Sequence, residues 1–358
     1  MKRLKYYVLT SNNIDALARH ASLDYSNIPT DLLVVIINTM NKEYEEEASS
    51  YCQNAGIEYY VTESNSTPGR GKNTLLQKFL ESDNDYCVQI DGDDYLTPHG
   101  VYLYNHLAQT KNPPDAVCLT HQVSMMYDRK ALEDHWVTTG VMPTKSQYPA
   151  KPMRCFLTDY DTVLPRITYE YHDFTDEVRK HYIETITGFY NAQRKYSEKS
   201  ETHCRITWYS RKAAAAHRFD EDIHIGEDTL HFFNIKNDHV AGRLTFMNNV
   251  ESPPTYIYDQ SSMGTVMEYS QEGKDINWVH QYMERLRKLE GDGVLHDNDI
   301  HQLPLLKIDY PINYVPDDLS TTGNMIFDVV DTNGNSSKME HPANATHESL
   351  LAKYQAMF

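Results

Sequence analysis

The segment Val88-Gln89-Ile90-Asp91-Gly92-Asp93-Asp94-Tyr95-Leu96 runs an apolar stretch straight into three carboxylates packed around one glycine. Like charges at that density are costly unless a cation sits among them. Asp91 and Asp93 are two apart, so an extended chain points them the same way. Gly92 between them lets the backbone turn and approach a ligand closely. Paired hard oxygen donors suit Mg²⁺ or Mn²⁺, ions that share their shell with substrate phosphates. The pattern predicts a metal-diphosphate site at the carboxyl end of a strand, where open α/β sheets place their ligands. Asp and Gly are also ordinary turn residues, so a solvated acidic turn is the plainer alternative. A second group is Phe219-Asp220-Glu221-Asp222, followed by Gly226-Glu227-Asp228-Thr229-Leu230-His231-Phe232-Phe233. Glu227 and Asp228 would open a helix, where the dipole favours carboxylates. That alone explains the pair; an ionised carboxylate there is also what a general base requires.

The elements that must hold these residues are legible around them. Lys5 to Thr10 reads as a first strand, followed by polar Ser11-Asn12-Asn13 and a helix from about Ile14. Leu32 to Ile37 is an apolar, β-branched run of strand length, the signature of a buried parallel strand. A charged helix over Glu43–Asn54 and a short strand over Glu58–Val61 follow. Thr67-Pro68 supplies a cap and a tolerated first-turn proline, and Leu75, Leu76, Phe79 and Leu80 make one apolar face. Tyr86 to Ile90 is the strand that ends at the carboxylates. This alternation predicts a parallel α/β sheet. Further on, Arg205–Tyr209 reads as a strand and Glu227–Ile235 as a helix. Trp278, Val279, Tyr282, Met283, Leu286 and Leu289 recur at helical spacing, with a mixed polar face that suits packing on a domain better than membrane docking.

Composition narrows the classes. With 358 residues, 40% hydrophobic content and a mean hydropathy of −0.63, the chain reads as a soluble protein of one large domain plus an elaboration. No segment reaches the ~20 apolar residues of a membrane helix. No signal-like apolar region follows Met1-Lys2-Arg3, so a cytoplasmic location is expected. Five scattered cysteines without a C-x-x-C pair argue for reduced thiols over zinc or disulfides. A net charge of −18 excludes a whole-surface affinity for nucleic acid, yet Val141–Lys212 holds 12 Lys+Arg against 9 Asp+Glu, with 12 aromatics. Gly69-Arg70-Gly71-Lys72-Asn73-Thr74 is not a P-loop, because Ser66 and Asn73 stand where that motif needs Gly and Lys-flanking Ser or Thr.

Taken in order, the motifs resemble the inverting family 2 glycosyltransferases of the GT-A fold. They are Thr10 and Asn12 after the first strand, Asn65, Gly69 and Lys72-Asn73 at a helix start, Asp91-Gly92-Asp93-Asp94 with Leu96 and Pro98, and Gly226-Glu227-Asp228 after Phe219-Asp220-Glu221. The likeness covers about Leu4–His106 and Ile206–Phe233. The chain departs from it in having Asn38-Thr39 where the family has base-contacting Asp residues, and Lys72 for Arg. The resemblance implies a Rossmann-like, mostly parallel sheet binding a nucleotide-diphospho-sugar, with an inserted acceptor region and a C-terminal helical and irregular extension. The corresponding divisions are 1–110, 111–204, 205–265 and 266–358.

The same resemblance implies the roles. Asp91 and Asp93 would hold Mn²⁺ or Mg²⁺ on the donor diphosphate. Asp228, beside Glu227, would take the proton from an acceptor hydroxyl in a single inverting displacement. Thr10, Asn12, Asn38, Arg70, Lys72 and Gly92 would line the donor, a UDP-sugar, with Lys72 or Arg70 on its uracil or diphosphate. His231 and His239 are spare histidines that read better as packed or surface residues than as metal ligands. Tyr256–Ser262 falls where the family has a mobile loop near the donor. Arg179, Lys180, Arg194, Lys195, Tyr171 and Tyr190 would contact the acceptor, either a glycan or hydroxymethylated DNA of a phage. A nucleotidyltransferase of related fold is the rival enzyme, but it would want a glycine-rich loop after the first strand, where Thr10–Asn13 has none. A non-catalytic sugar-nucleotide or glycan-binding relic is the rival outside catalysis.

Overall fold

A computed structural model describes residues 3–22, 28–96, 98–118, 122–127, 153–157, 167–171, 205–248, 255–260, 275–293, 303–304, 324–330 and 336–342. In chain order the strands are β1 (Leu4–Thr10), β2 (Leu33–Ile37), β3 (Glu58–Val61), β4 (Tyr86–Asp91), β5 (Tyr95–Leu96), β6 (Ala116–Cys118), β7 (Gln122–Tyr127), β8 (Met153–Leu157), β9 (Ile167–Tyr171), β10 (Ile206–Ser210), β11 (Phe246–Asn248), β12 (Tyr256–Gln260), β13 (Asn324–Val330) and β14 (Ser336–Pro342). The helices are α1 (Ile14–Ser22), α2 (Lys42–Ala55), α3 (Pro68–Glu81), α4 (Pro98–Gln109), α5 (Arg211–Ala216), α6 (Glu227–Val240) and α7 (Asp275–Gly291). They fall into two units. The first comprises Met1–Thr120, Thr202–Asn249 and Gly264–Leu306, and the second His121–Glu201, Val250–Met263 and Lys307–Phe358.

The first unit is an α/β layer built on a seven-stranded sheet of order β11-β6-β10-β4-β1-β2-β3. β4, β1, β2 and β3 run parallel, as the strand-helix alternation requires, and β10 alone lies antiparallel to its neighbours β4 and β6. The apolar run of β2 is buried along its whole length, because helices need both faces of a parallel sheet. Leu32 belongs to a short 3-10 turn, so β2 begins one residue later than the hydrophobic run suggests. On α3, Leu75, Leu76 and Phe79 pack into one core with Tyr7, Leu9, Val34 and Ile36. Complete burial of Phe79 contributes roughly 1.5–3 kcal/mol. Trp208 of β10 is fully buried, stacks on Tyr86 at 4.5 Å and on Tyr104 at 6.0 Å, and donates its indole N–H to the Pro114 carbonyl.

The second unit is described through its strands. In the order β14-β13-β9-β8-β7-β12 they pair antiparallel, except that β12 runs parallel to β7. Two expectations change here. Tyr256–Gln260, read as part of a mobile loop, is strand β12 with a continuous register to Gln122–Met126. The C-terminal extension, expected to be helical and irregular, also contains β13 and β14 in a seven-pair antiparallel register. Among the described residues no helix is long and apolar enough to cross a membrane.

Candidate active site

The carboxyl ends of β1, β2 and β4 converge on one edge of the first unit's sheet. β4 ends at Asp91, and Gly92-Asp93 form a turn closed by the Asp94 N–H donating to the Asp91 carbonyl at 3.0 Å. Gly92 is required there by space. A Cβ would lie 2.5 Å from the Leu9 carbonyl oxygen and 2.7 Å from Thr10 Cα, so the turn packs directly on the end of β1. The close approach expected of Gly92 toward a ligand is thus made to the protein's own backbone. Its carbonyl accepts from His20 Nε2 at 3.1 Å; burial holds that imidazole's pKa down to about 4, so the ring is neutral and Nε2 carries the proton.

Because β10 is antiparallel to β4, with Trp208 opposite Val88 and Ser210 opposite Tyr86, its amino end lies at the carboxyl end of β4. Arg205 precedes β10 and reaches both carboxylates that flank the turn. Its Nη2 is 2.9 Å from Asp91 Oδ2 and its Nη1 is 2.7 Å from Asp94 Oδ2. Asp94 is buried, with its side chain 1% exposed, so this pair works at low local dielectric. Burial raises the Asp91 pKa, but Arg205 and Lys72 outweigh it and hold the group below the usual aspartate range. Asp93 is in the opposite situation. Burial and the neighbouring Asp91 push it up to about 6, and no ion pair to it is found among the described residues.

α3 carries the second half of the site. Thr67 caps it, accepting from the Arg70 N–H, and Pro68 occupies the first turn as expected. Two glycines let that turn press inward: a Cβ on Gly69 would overlap the Asp220 carbonyl, and one on Gly71 would lie 2.5 Å from Leu9 Cδ1 and 2.8 Å from the Asn38 side chain. The segment before α6 is stitched to this turn. Asn73 accepts from the Phe219 N–H and donates to the Phe219 carbonyl, both at 2.9 Å, and Asn65 and Thr67 donate to the Glu221 carbonyl. Arg70 pairs with Glu221 at 2.7 Å. At the start of α6, Gly226 adopts φ 90°, a left-handed conformation that glycine takes without strain. Arg285 of α7 pairs with Asp220 at 2.7 Å, holding the same segment from its other side.

This stitching brings Glu227 and Asp228 to Lys72. Its Nζ lies 2.7 Å from Glu227 Oε1 and 2.6 Å from Asp228 Oδ1, with the Lys72 side chain 3% exposed. Burial opposes the ammonium, but Asp228 and Glu227 overcome it and raise its pKa, so Lys72 stays charged. The charges of Asp91 and Arg205 also act on it, which ties the β4 and α6 carboxylates into one electrostatic cluster. Burial raises the Glu227 pKa, partly offset by Lys72. Five carboxylates and two cations make this cluster (Asp91, Asp93, Asp94, Glu227, Asp228; Lys72, Arg205), so negative charge is in excess.

The remaining expected residues are placed as follows. Thr10 is buried with its hydroxyl on Tyr44, and Asn38 is buried with Nδ2 donating to the Thr67 carbonyl. Asn12, in the left-handed region at φ 52°, accepts from Thr39 Oγ1 at 2.7 Å and so joins the β1 and β2 ends. These three serve the frame of the edge. His231 is buried in face-to-face contact with Phe219 at 3.9 Å, and His239 Nδ1 sits beside the Phe246 N–H; neither is in the carboxylate cluster. Arg179, Lys180, Tyr190, Arg194 and Lys195 lie outside the described residues, and Tyr171 is described only as the last residue of β9. Sequence reading missed Arg205 as a site residue. The signal was its place just before an apolar run that pairs antiparallel with β4, and that pairing is invisible in the sequence.

The site fits a divalent cation in one specific sense. Among the described residues no three or more His, Cys, Asp or Glu side chains converge as a self-sufficient metal cage. Asp93, with no ion pair among the described residues, and Asp91 two residues before it instead offer hard oxygen donors, suited to an ion that completes its shell with phosphates and water.

No protein-family model and no curated protein matches the sequence. Among solved structures the chain is similar to the 1–349 portion of TarS from S. aureus, at 13% identity and a TM-score of 0.41, over 72% of this chain and 60% of that one. For the same portion of TarS in complex with UDP-GlcNAc, the values are 12%, 0.41, 74% and 60%. For the mannosyltransferase PcManGT from Pyrobaculum calidifontis, in complex with GDP-Man and Mn2+, they are 10%, 0.39, 80% and 64%. The chain spans less than two thirds of the length of each of these.

Proposed function

We propose that this protein is a glycosyltransferase that moves a sugar from a nucleotide-diphospho-sugar to an acceptor hydroxyl with inversion at the anomeric carbon. The reading rests on the sequence motifs, and one observation carries it. Asp91 at the end of β4, Asp93 in the turn after it and the α6 carboxylate Asp228 lie at one sheet edge, coupled through the charge of Lys72. Asp91 and Asp93 would hold Mg²⁺ or Mn²⁺ there, which when bound neutralises charge on the departing diphosphate. Asp228, partly exposed at 23% beside the almost inaccessible Glu227, takes the acceptor proton as the hydroxyl attacks. One base suffices for a single displacement, which is why one accessible carboxylate on α6 is enough. Arg70, whose side chain is 40% exposed, remains the basic residue for the donor on this edge. Acceptor contacts are assigned to the basic, aromatic stretch Val141–Lys212, most of which lies outside the described residues.

The test is a panel of UDP-, GDP-, CDP- and TDP-sugars incubated with the protein and Mn²⁺ or Mg²⁺, reading released nucleoside diphosphate. The anomeric configuration of any product is then read by proton NMR. Asp228→Asn should lower turnover roughly 10²-fold or more while donor affinity stays within a few fold. Retained turnover with lost donor affinity would make Asp228 a donor contact and overturn its role as base.

A further inference from the structure

Sequence reading placed Lys72 on the donor, yet its ammonium is spent on the two carboxylates of α6. We infer that Lys72 is the positioning residue of Asp228, with Glu227 as the buried anchor that fixes Lys72; this rests on the reading of Asp228 as the base. The three groups differ in access. The side chains of Lys72, Glu227 and Asp228 are 3%, 7% and 23% exposed, so the row runs from the interior outward and only its last member meets solvent appreciably.

A buried ammonium with short contacts to two carboxylates cannot turn toward a phosphate without leaving both of them uncompensated. Phe219 packs against the same ammonium, its ring centroid 5.6 Å from Nζ, in a cation–π contact. The backbone is set for this grip. Gly71 lets the α3 turn approach β1, and the next residue but one, Asn73, clamps Phe219 by two hydrogen bonds. At the start of α6, where Gly226 provides no side-chain cap, the Asp228 carboxylate accepts from Lys72 at Oδ1. Held at Oδ1, that carboxylate is restrained, and a restrained base loses less freedom on reaching the transition state. The adjacent acids thus have separate tasks: Asp228 faces the acceptor, and Glu227 acts through Lys72.

The test uses Lys72→Met together with Glu227→Gln, because the single lysine variant would strand a buried carboxylate and could unfold the chain. In the double variant kcat should fall about 10²-fold while donor KM stays within about threefold. Adding Asp228→Asn should then cost little more, since both changes act on one group. A donor KM raised tenfold or more with kcat retained would put Lys72 on the donor and overturn the inference. So would losses that multiply in full when Asp228→Asn is added. A second readout needs no turnover. The ¹⁵Nζ resonance of Lys72 should shift in Asp228→Asn, and an unmoved resonance refutes the contact. If wild-type protein releases nucleotide from no donor, the glycosyl-transfer reading falls, while the Lys72 resonance still decides whether the ammonium grips Asp228.

Discussion

Replacing Arg205 with Met should destabilise the first unit by about 3 kcal/mol, at the lower end of the ~3–5 kcal/mol lost when one partner of a buried ion pair is removed. The magnitude follows from unequal burial. Asp94 is 1% exposed and Arg205 sits 2.7 Å away, so its carboxylate would be left in a low dielectric without its counter-charge. Asp91 is 21% exposed and keeps the charge of Lys72 nearby, so its share is small. Methionine keeps most of the arginine stem and therefore separates charge from packing. Trp208 reports on the same strand, being stacked between Tyr86 and Tyr104, and its fluorescence can follow urea unfolding, with Trp208→Phe as the control for the other tryptophans. The decisive comparison is Arg205→Met with Asp94→Asn added: removing the stranded charge should recover most of the loss. A single variant within about 0.5 kcal/mol of wild type, or a double variant no better than the single, would refute the account of this cluster as a charge-compensated frame.

Two further outcomes are expected. Asp93→Ala should reduce metal-stimulated nucleotide release on the order of 10³-fold by removing the carboxylate with surplus charge; full activity of that variant in EDTA would sink the metal assignment. His231 concerns stability. Burial holds its folded-state pKa down to about 3, with His217 acting the same way and the Arg218 backbone opposing them, and among the described residues neither ring nitrogen makes a well-formed hydrogen bond. The unfolded chain therefore binds a proton near pH 6.5 that the folded chain refuses, so stability falls as pH drops from there toward 3. His231→Phe should flatten this decline by up to about 1.4 kcal/mol per pH unit, measured by urea midpoints between pH 7 and 4, and an unchanged slope would show that the ring is not buried neutral.

The sequence by itself determined the local pieces. Period and capping are short-range properties, so Thr67-Pro68 opened α3, the apolar run after Thr30 made β2, and the Asp-Gly-Asp-Asp stretch closed β4 in a turn. It also marked Glu227-Asp228 as the start of a helix, because carboxylates suit that position whatever surrounds them. Tertiary structure alone decided what those carboxylates meet. Arg205 became a partner of Asp91 and Asp94 only because β10 pairs antiparallel with β4, a choice made by burying Trp208 between distant aromatics. Lys72 reaches the α6 carboxylates because two glycines let α3 press against residues far along the chain. Tyr256–Gln260 became a strand because its backbone groups pair with Gln122–Met126, a distant partner that its place in the family pattern does not reveal. Charge compensation between remote segments is a property of distance and dielectric, and neither is written in the order of the residues.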